Sequence, residues 1–285
     1  MPIRINEQEF KLLRDFIENE CGVLLGKEKA YLIENRLSKL AKDLGCRTFG
    51  EFYQKLSLSP RADKLRSLTV DAITTHETLW FRDQHPFKIL RERLLPEYRK
   101  AIHQGNRSDI NIWSAACASG QEPYSIAMTA ADFFTDSGCE AGVCDKQINI
   151  LATDISTAML AQAEAGRYDA NAMTRGLPTD TLNRYFKKEK NKWILSPDIR
   201  NMVTFRQLNL KDPVAGIIGP FDIIFLRNVI IYFSEPFKKR LLNRVAGLLN
   251  SGGYLFLGTG ETVGGYSEAF DILEYEGTIF YQIKS

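Results

Sequence analysis

Three histidines, at positions 76, 85 and 103, stand far apart, and the five cysteines (21, 46, 117, 139 and 144) form no C-x-x-C pair. Zinc sites need Cys and His clustered at short spacing, so no metal is expected. The odd cysteine count speaks against a disulfide framework and for free thiols in a reducing cytoplasm. No run of about 18 apolar residues occurs, so no membrane-spanning helix is expected. The first residues, MPIRINEQEF, lack an apolar core of signal-peptide length. An excess of one charge is missing too. Against 35 Asp and Glu stand 37 Lys and Arg, a net charge of +2. A dedicated nucleic-acid binder is usually far more basic. The expectation is a soluble, cytoplasmic monomer with no metal, no nucleic-acid partner and no membrane insertion.

What is present is ordinary globular material: 44% hydrophobic and 25% charged residues over 285 positions, enough for one large domain or two without staples. Residues 1–70 read as wholly helical. Asn6 and Glu9 have capping-box spacing before Phe10, Leu13 and Ile17. A second helix is expected from Lys29 to Leu44, with Ile33, Leu37, Leu40 and Leu44 on one stripe and Gly45 ending it. Phe49, Phe52 and Leu56, then Leu65 and Leu68, mark two shorter helices. Residues 71–104 form a linker, TTHETLWFRDQHPF, and a connecting helix that Pro96 kinks or splits.

From 105 to 285 the texture changes to alternating strands and helices. Strands are expected at INIWSAA (110–116), INILATDI (148–155), MVTFRQLNL (202–210), FDIIFLRNVIIYF (221–233, with its exit loop) and GGYLFLGTG (252–260). FDILEY and TIFYQIK, around Glu276-Gly277, read as a terminal hairpin. Alternation of this kind implies a parallel sheet with helices on both faces. Between about 166 and 200 the alternation breaks, and a small antiparallel insertion containing Trp193, Ile194 and Leu195 is expected.

A doubly wound sheet binds its ligand beyond the carboxyl ends of its strands. At the first such end the chain reads AACASGQEP, with Gly120 as the one glycine of the turn. A dinucleotide fold needs G-x-G-x-x-G there, and a Walker loop needs G-x-x-x-x-G-K-[ST]. Neither is present, so the tight, small-sided turn is not a phosphate cradle. Glu122 complements the dipole of the following helix and would attract an ammonium rather than a phosphate. Asp154 ends the second strand, where an acidic residue takes ribose hydroxyls. Asn209 and Asn228 follow the next two strands and could read a purine edge. A nucleoside joined to an amino acid, S-adenosylmethionine, satisfies all four. Plainer roles stay open. Asp154 could cap a helix, Glu122 could serve the dipole alone, and the two Asn could be turn residues. Cys117 reads as a small filler rather than a nucleophile, His76 as a satisfied loop or core histidine, and Trp80 and Phe81 as interdomain packing.

The motifs TTHETLWFRD, IWSAACASGQEPYSIAM, ILATDIS, LNL, FDIIFLRNVIIYF and GGYLFLGTGE, in this order behind a helical domain, resemble the CheR family of chemotaxis receptor methyltransferases, which are protein-glutamate O-methyltransferases. The resemblance spans essentially the whole chain. It implies a helical N-terminal domain for receptor docking and a class I methyltransferase domain, a Rossmann-like seven-stranded sheet ending in an antiparallel hairpin, with a small β-subdomain inserted. It also implies S-adenosylmethionine as methyl donor, S-adenosylhomocysteine as product, and contacts at Thr78, Arg82, Glu122, Asp154, Asn209, Leu210, Asn228 and Val229. His76 stands where the family usually has Asn. Gln121, Leu226 and Ser251 are milder departures, from Glu, Cys and Pro. The tip of the insertion is KKEKNK, without the glycine-containing loop by which many members grip a receptor C-terminal peptide. The protein is therefore expected to work without that tether.

The implied reaction transfers a methyl group to glutamate side chains of methyl-accepting chemotaxis receptors. A glutamate with pKa about 4.3 is already ionised at neutral pH and needs no general base. Arg82 and Arg227 are candidates to orient a carboxylate, with a buried structural ion pair as the equal alternative for Arg227. Tyr232 could border the acceptor pocket. Arg36, Lys39 and Lys42 share one sector of the second helix and could dock an acidic receptor helix, or simply be a solvated face. The rival readings are a class I methyltransferase with another acceptor and a cofactor-binding signalling module without turnover. A nicotinamide oxidoreductase is discouraged by the missing glycines.

Overall fold

The computed structural model describes residues 3–60, 63–138, 147–213 and 219–284. Cys139 and Cys144 lie outside them. The chain divides into two units after Thr75, and short segments beginning at Asn209 and at Tyr232 group with the first.

The first unit carries α1 (Glu7–Cys21), α2 (Ala30–Asp43), α3 (Phe49–Leu58) and α4 (Lys64–Ile73). The capping box of α1 is formed. Asn6 accepts from the Glu9 N–H at 2.9 Å, and Glu9 accepts from the Asn6 N–H at 3.0 Å. The second Glu9 oxygen takes the Gly50 N–H at 2.8 Å, so one side chain fixes two helix starts. Phe10, Leu13, Ile17, Ile33, Leu37, Phe49, Phe52 and Leu56 are buried as their spacing predicts. The stripe of α2 is shifted: Ala41 is buried, while Leu40 and Leu44 are only half-buried. In α4 the buried face is Thr69, Val70 and Ile73, and Leu68 is 40% exposed. The expected Leu65–Leu68 face is therefore not the packing face.

In the second unit the connecting segment is α5 (His85–Ile89), a π-helical turn (Leu90–Leu94) and α6 (Leu95–His103). Pro96 lies in the first turn of α6, where its missing N–H leaves nothing unmade. It splits the helix through the π turn rather than stopping it. The chain then runs β1 (Ile110–Ala115), α7 (Gln121–Asp136), β2 (Ile148–Asp154), α8 (Thr157–Ala165), β3 (Arg167–Tyr168), α9 (Ala170–Met173) and α10 (Thr179–Tyr185). Next come β4 (Phe186–Glu189), β5 (Lys192–Leu195), α11 (Pro197–Asn201), β6 (Val203–Gln207), β7 (Phe221–Leu226), α12 (Glu235–Ala246), β8 (Leu249–Leu257), β9 (Phe270–Tyr275) and β10 (Thr278–Ile283).

Seven strands form one sheet in the order β6-β2-β1-β7-β8-β10-β9. The first five are mutually parallel, and β10 runs antiparallel to both its neighbours. This is the class I methyltransferase arrangement with its terminal hairpin. All six residues of β7 are buried, which explains why Asp222 is the one residue of the strand that is not apolar. The predicted insertion is a three-stranded antiparallel sheet, β3-β5-β4. Trp80 anchors the linker to it, edge-on to Tyr168 and Phe186 at 4.9 and 5.3 Å. Its packing is thus within this unit, not interdomain as expected. The amino ends of the central strands are clamped by Asp222, which is 1% exposed. Its carboxylate binds Arg107, the Asn111 N–H at 2.7 Å and the Asn250 amide at 2.7 Å.

Candidate functional site

The carboxyl ends of β1, β2 and β7 come together with the Trp80–Gln84 segment. After β1 the chain makes two left-handed residues, Ala116 (φ 59°) and Ala118 (φ 48°), before Gly120 (φ 90°) starts α7. A Cβ on Gly120 would lie 2.8 Å from Ala163 Cβ, so the glycine is required by packing as well as by φ. Asp154, at the end of β2, ties this turn down. Its carboxylate accepts the Ala118 N–H at 2.8 Å and the Ser156 N–H at 2.9 Å. The α8 cap is Ser156, which takes the Met159 N–H, so Asp154 is not the helix cap. Burial pushes the Asp154 carboxyl above the usual carboxylate range. The two backbone donors and the charge of nearby His76 oppose that rise.

Glu122 sits in the first turn of α7. One oxygen accepts from Ser114 Oγ at 2.8 Å, the other from Arg227 Nη1 at 2.8 Å. A carboxylate has about four lone-pair sites, so acceptor capacity remains. Arg227 follows β7, and its side chain is fully buried. Its second terminal nitrogen donates to the Arg82 carbonyl at 2.8 Å and to Asp83 at 2.7 Å. The guanidinium lies 5.8 Å from the Phe87 ring centre. It therefore binds three segments together and is the buried ion-pair partner that the sequence left open. Arg82 is half-buried and donates to the Glu77 carbonyl at 3.2 Å. Thr78, Asn228 and Val229 are half-buried at the same strand ends.

Asn228 has φ 58°, a left-handed conformation that Asn tolerates better than most residues. Glu261, which the sequence reading did not single out, holds it. One carboxylate oxygen accepts the Asn228 N–H at 2.7 Å and the Gly258 N–H at 2.7 Å, and the other accepts the Ile231 N–H at 3.2 Å. The one sequence clue was its place in the GTGE motif just after a buried strand.

Eight non-glycine residues have positive φ among the described residues, and two of them, Lys190 and Glu276, are hairpin turns. The other six, Phe81, Asp83, Gln84, Ala116, Ala118 and Asn228, belong to the segments joined here. Each such residue costs about 1–3 kcal/mol, and strain of this kind collects at functional sites. Cys117 is 2% exposed, and burial pushes its thiol well up, so it is a filler. Among the described residues no group of three or more His, Cys, Asp or Glu is placed to hold a metal.

Other predicted residues lie elsewhere. Strand β6 ends at Gln207, not at Leu210. Asn209 and Leu210 group with the helical unit, where the Asn209 amide donates to the Glu20 carbonyl at 2.6 Å and its oxygen takes the Lys211 N–H at 3.0 Å. Tyr232 ends a 3-10 turn (Ile230–Tyr232), and its carbonyl accepts the Leu24 N–H at 2.8 Å. Arg36 is not a free docking cation. It donates to the Ile73 and Thr74 carbonyls at 2.6 and 3.0 Å and to Thr75 Oγ1 at 3.2 Å, capping α4. Lys39 and Lys42 are exposed.

The donor set fits a nucleoside with an amino-acid tail. Two carboxylates offer acceptors for hydroxyls and an ammonium, beside a turn of small residues in which Ala116 is half-buried and Cys117 to Gly120 are buried. Residues 76–279 match the SAM-binding domain of the CheR methyltransferase model, and residues 8–74 match its all-alpha domain. The chain belongs to the CheR methyltransferase family. As in that family, its cofactor is S-adenosylmethionine. The chain is 44% identical over 277 residues to chemotaxis protein methyltransferase 1 of Pseudomonas aeruginosa, covering 97% of this chain and 98% of that one. It is 40% identical over 283 residues to the chemotaxis protein methyltransferase of Vibrio parahaemolyticus, covering 99% of each. With the Borreliella burgdorferi chemotaxis protein methyltransferase it shares 35% over 266 residues, 93% of this chain and 92% of that one.

Proposed function

We propose that this CheR-family chain methylates glutamate side chains of methyl-accepting chemotaxis receptors, forming methyl esters in chemotaxis adaptation. The observation that carries the reading is the match of both family domains, in order, over 8–74 and 76–279. Relatives named chemotaxis protein methyltransferases that align across almost their full length support it. The protein is proposed to act as a cytoplasmic monomer on the helical cytoplasmic part of the receptor.

When bound, S-adenosylmethionine supplies a methyl group on a sulfonium, already activated for displacement. The chain's own residues have a limited task. Asp154 and Glu122 hold the polar parts of the ligand, with His76, Thr78, Asn228 and Val229 as the remaining proposed contacts. A glutamate acceptor is ionised at neutral pH, so no residue need remove a proton. Catalysis rests on alignment, which is worth roughly 7–11 kcal/mol in favourable cases. Arg82, whose guanidinium donates to the Glu77 carbonyl at 3.2 Å, is the proposed cation that orients a carboxylate. Arg227 acts behind it, since both its terminal nitrogens are engaged.

Lys39 and Lys42 are proposed to meet the acidic receptor helix. The exposed hairpin tip, Lys187–Lys192 with Lys190 at φ 52°, has no glycine. Activity is proposed to be independent of a receptor C-terminal peptide, and measurable affinity for such an isolated peptide would contradict this. The reaction itself is tested by incubating a receptor cytoplasmic fragment with methyl-labelled S-adenosylmethionine and measuring methanol released by alkali. Base-labile label supports an ester. Binding of S-adenosylhomocysteine without any label would favour the non-catalytic module, and base-stable label another acceptor chemistry.

A further inference from the structure

We propose that Glu261 is a positioning residue that shapes the cofactor site through Asn228. This rests on the reading of Asn228 and Val229 as cofactor contacts. Three backbone N–H groups, from Asn228, Gly258 and Ile231, converge on this one carboxylate. They come from two different strand exits: the loop after β7, and the end of β8. An ionised acceptor makes each bond roughly twice as strong as a neutral one. Asn228 needs such a clamp because its φ of 58° is not a resting conformation. The surroundings are shaped for the clamp. A Cβ on Gly258 would lie 2.5 Å from Asn228 Nδ2 and 2.8 Å from a Glu261 oxygen, so glycine leaves the room that both side chains occupy. Val263, two residues on, is 3% exposed and anchors the segment that presents Glu261. The carboxylate is thus a bracket. It converts the strained exit of β7 into a fixed surface before any ligand arrives, and the gain is preorganisation.

The test uses the full chain and two variants, Glu261→Gln and Glu261→Ala, titrated calorimetrically with S-adenosylhomocysteine. Gln keeps an oxygen for the Asn228 and Gly258 donors and loses the longer bond to Ile231. Ala loses all three. The expected result is graded: an affinity loss of a few-fold for Gln, and of about tenfold or more for Ala, equivalent to one or more charge-assisted bonds. The binding stoichiometry reports the folded fraction. A merely structural role would lower that fraction or the melting temperature while the folded molecules kept wild-type affinity. Unchanged affinity in the Gln variant, together with unchanged affinity or no folded protein for Ala, would overturn the proposal. Because the readout is ligand affinity, it stands apart from the acceptor. Failure to methylate a receptor would not imitate it, and loss of affinity would not by itself support the receptor assignment.

Discussion

Replacing Arg227 with methionine tests how the site is held. The side chain is fully buried and meets Glu122, the Arg82 carbonyl and Asp83 at 2.7–2.8 Å. Methionine fills similar volume but leaves three acceptors without their donor. The Glu122 side chain is 12% exposed, so its charge loses compensation with little water to replace it. The Asp83 side chain is 35% exposed, and its share must be discounted for screening. Breaking a buried pair by removing one partner costs about 3–5 kcal/mol. In a unit of roughly 200 residues each kcal/mol moves the midpoint by about 2–4 °C, giving a fall of about 6–20 °C. Differential scanning calorimetry of the full chain reads this shift, and calorimetric titration reads a parallel loss of S-adenosylhomocysteine affinity. Lysine at the same position should rescue little, because one ammonium does not reproduce a planar fork with three separated partners. Adding Glu122→Gln to the methionine variant should recover part of the stability, since the uncompensated charge is then gone. A midpoint shift under 2 °C, or strictly additive costs in the double variant, would refute the idea that Arg227 neutralises Glu122.

Three further outcomes follow from the geometry. Gly258→Ala puts a Cβ 2.5 Å from Asn228 Nδ2, so it should weaken S-adenosylhomocysteine binding while secondary structure by circular dichroism is kept; wild-type affinity would contradict the crowding. The Asp154 carboxyl is raised by burial, so the folded chain holds its proton more tightly than the unfolded one. Its ionised form therefore weakens the fold at neutral pH, and that penalty fades as pH falls through the raised value. Ligand affinity should run the other way, declining as the acceptor carboxylate is protonated, from above the usual carboxylate range. Asp154→Asn should lack this limb, and identical pH profiles would exclude Asp154 as the group responsible. Finally, Lys39→Glu should slow receptor methylation with unchanged melting temperature and S-adenosylhomocysteine affinity. Arg36→Glu should instead lower the melting temperature, because Arg36 caps α4 through the Ile73 and Thr74 carbonyls. Equal thermal stability of the two variants would contradict that division.

The strands were legible because a parallel sheet buried on both faces writes mostly apolar segments, as at Ile110–Ala115, broken by Asn111 and Ser114, and at Phe221–Leu226, broken by Asp222 alone. The α1 cap was legible because Asn6 and Glu9 act within one turn. Strand ends were also readable, which is how Asp154, Glu122 and Asn228 could be named. What stayed hidden depends on partners far away in the chain. Arg227 meets Asp83 and Glu122 across 144 and 105 positions, and Glu261 meets Asn228 across 33. No local pattern encodes such pairs. The left-handed Ala116 and Ala118 were equally silent, since alanine announces no positive φ. Arg36 looked like a surface charge because helical spacing shows which face a residue shares, not that the α4 terminus lies within its reach.

Receptor glutamates are the proposed destination of the methyl group. The most direct measurement is peptide mapping by mass spectrometry of a receptor cytoplasmic fragment after incubation with the enzyme and S-adenosylmethionine. The expected result is a gain of one methylene mass on peptides carrying helix-face glutamates, reversed by mild alkali and absent when those glutamates are alanine. Methylation found on another residue type, or surviving alkali, would contradict it.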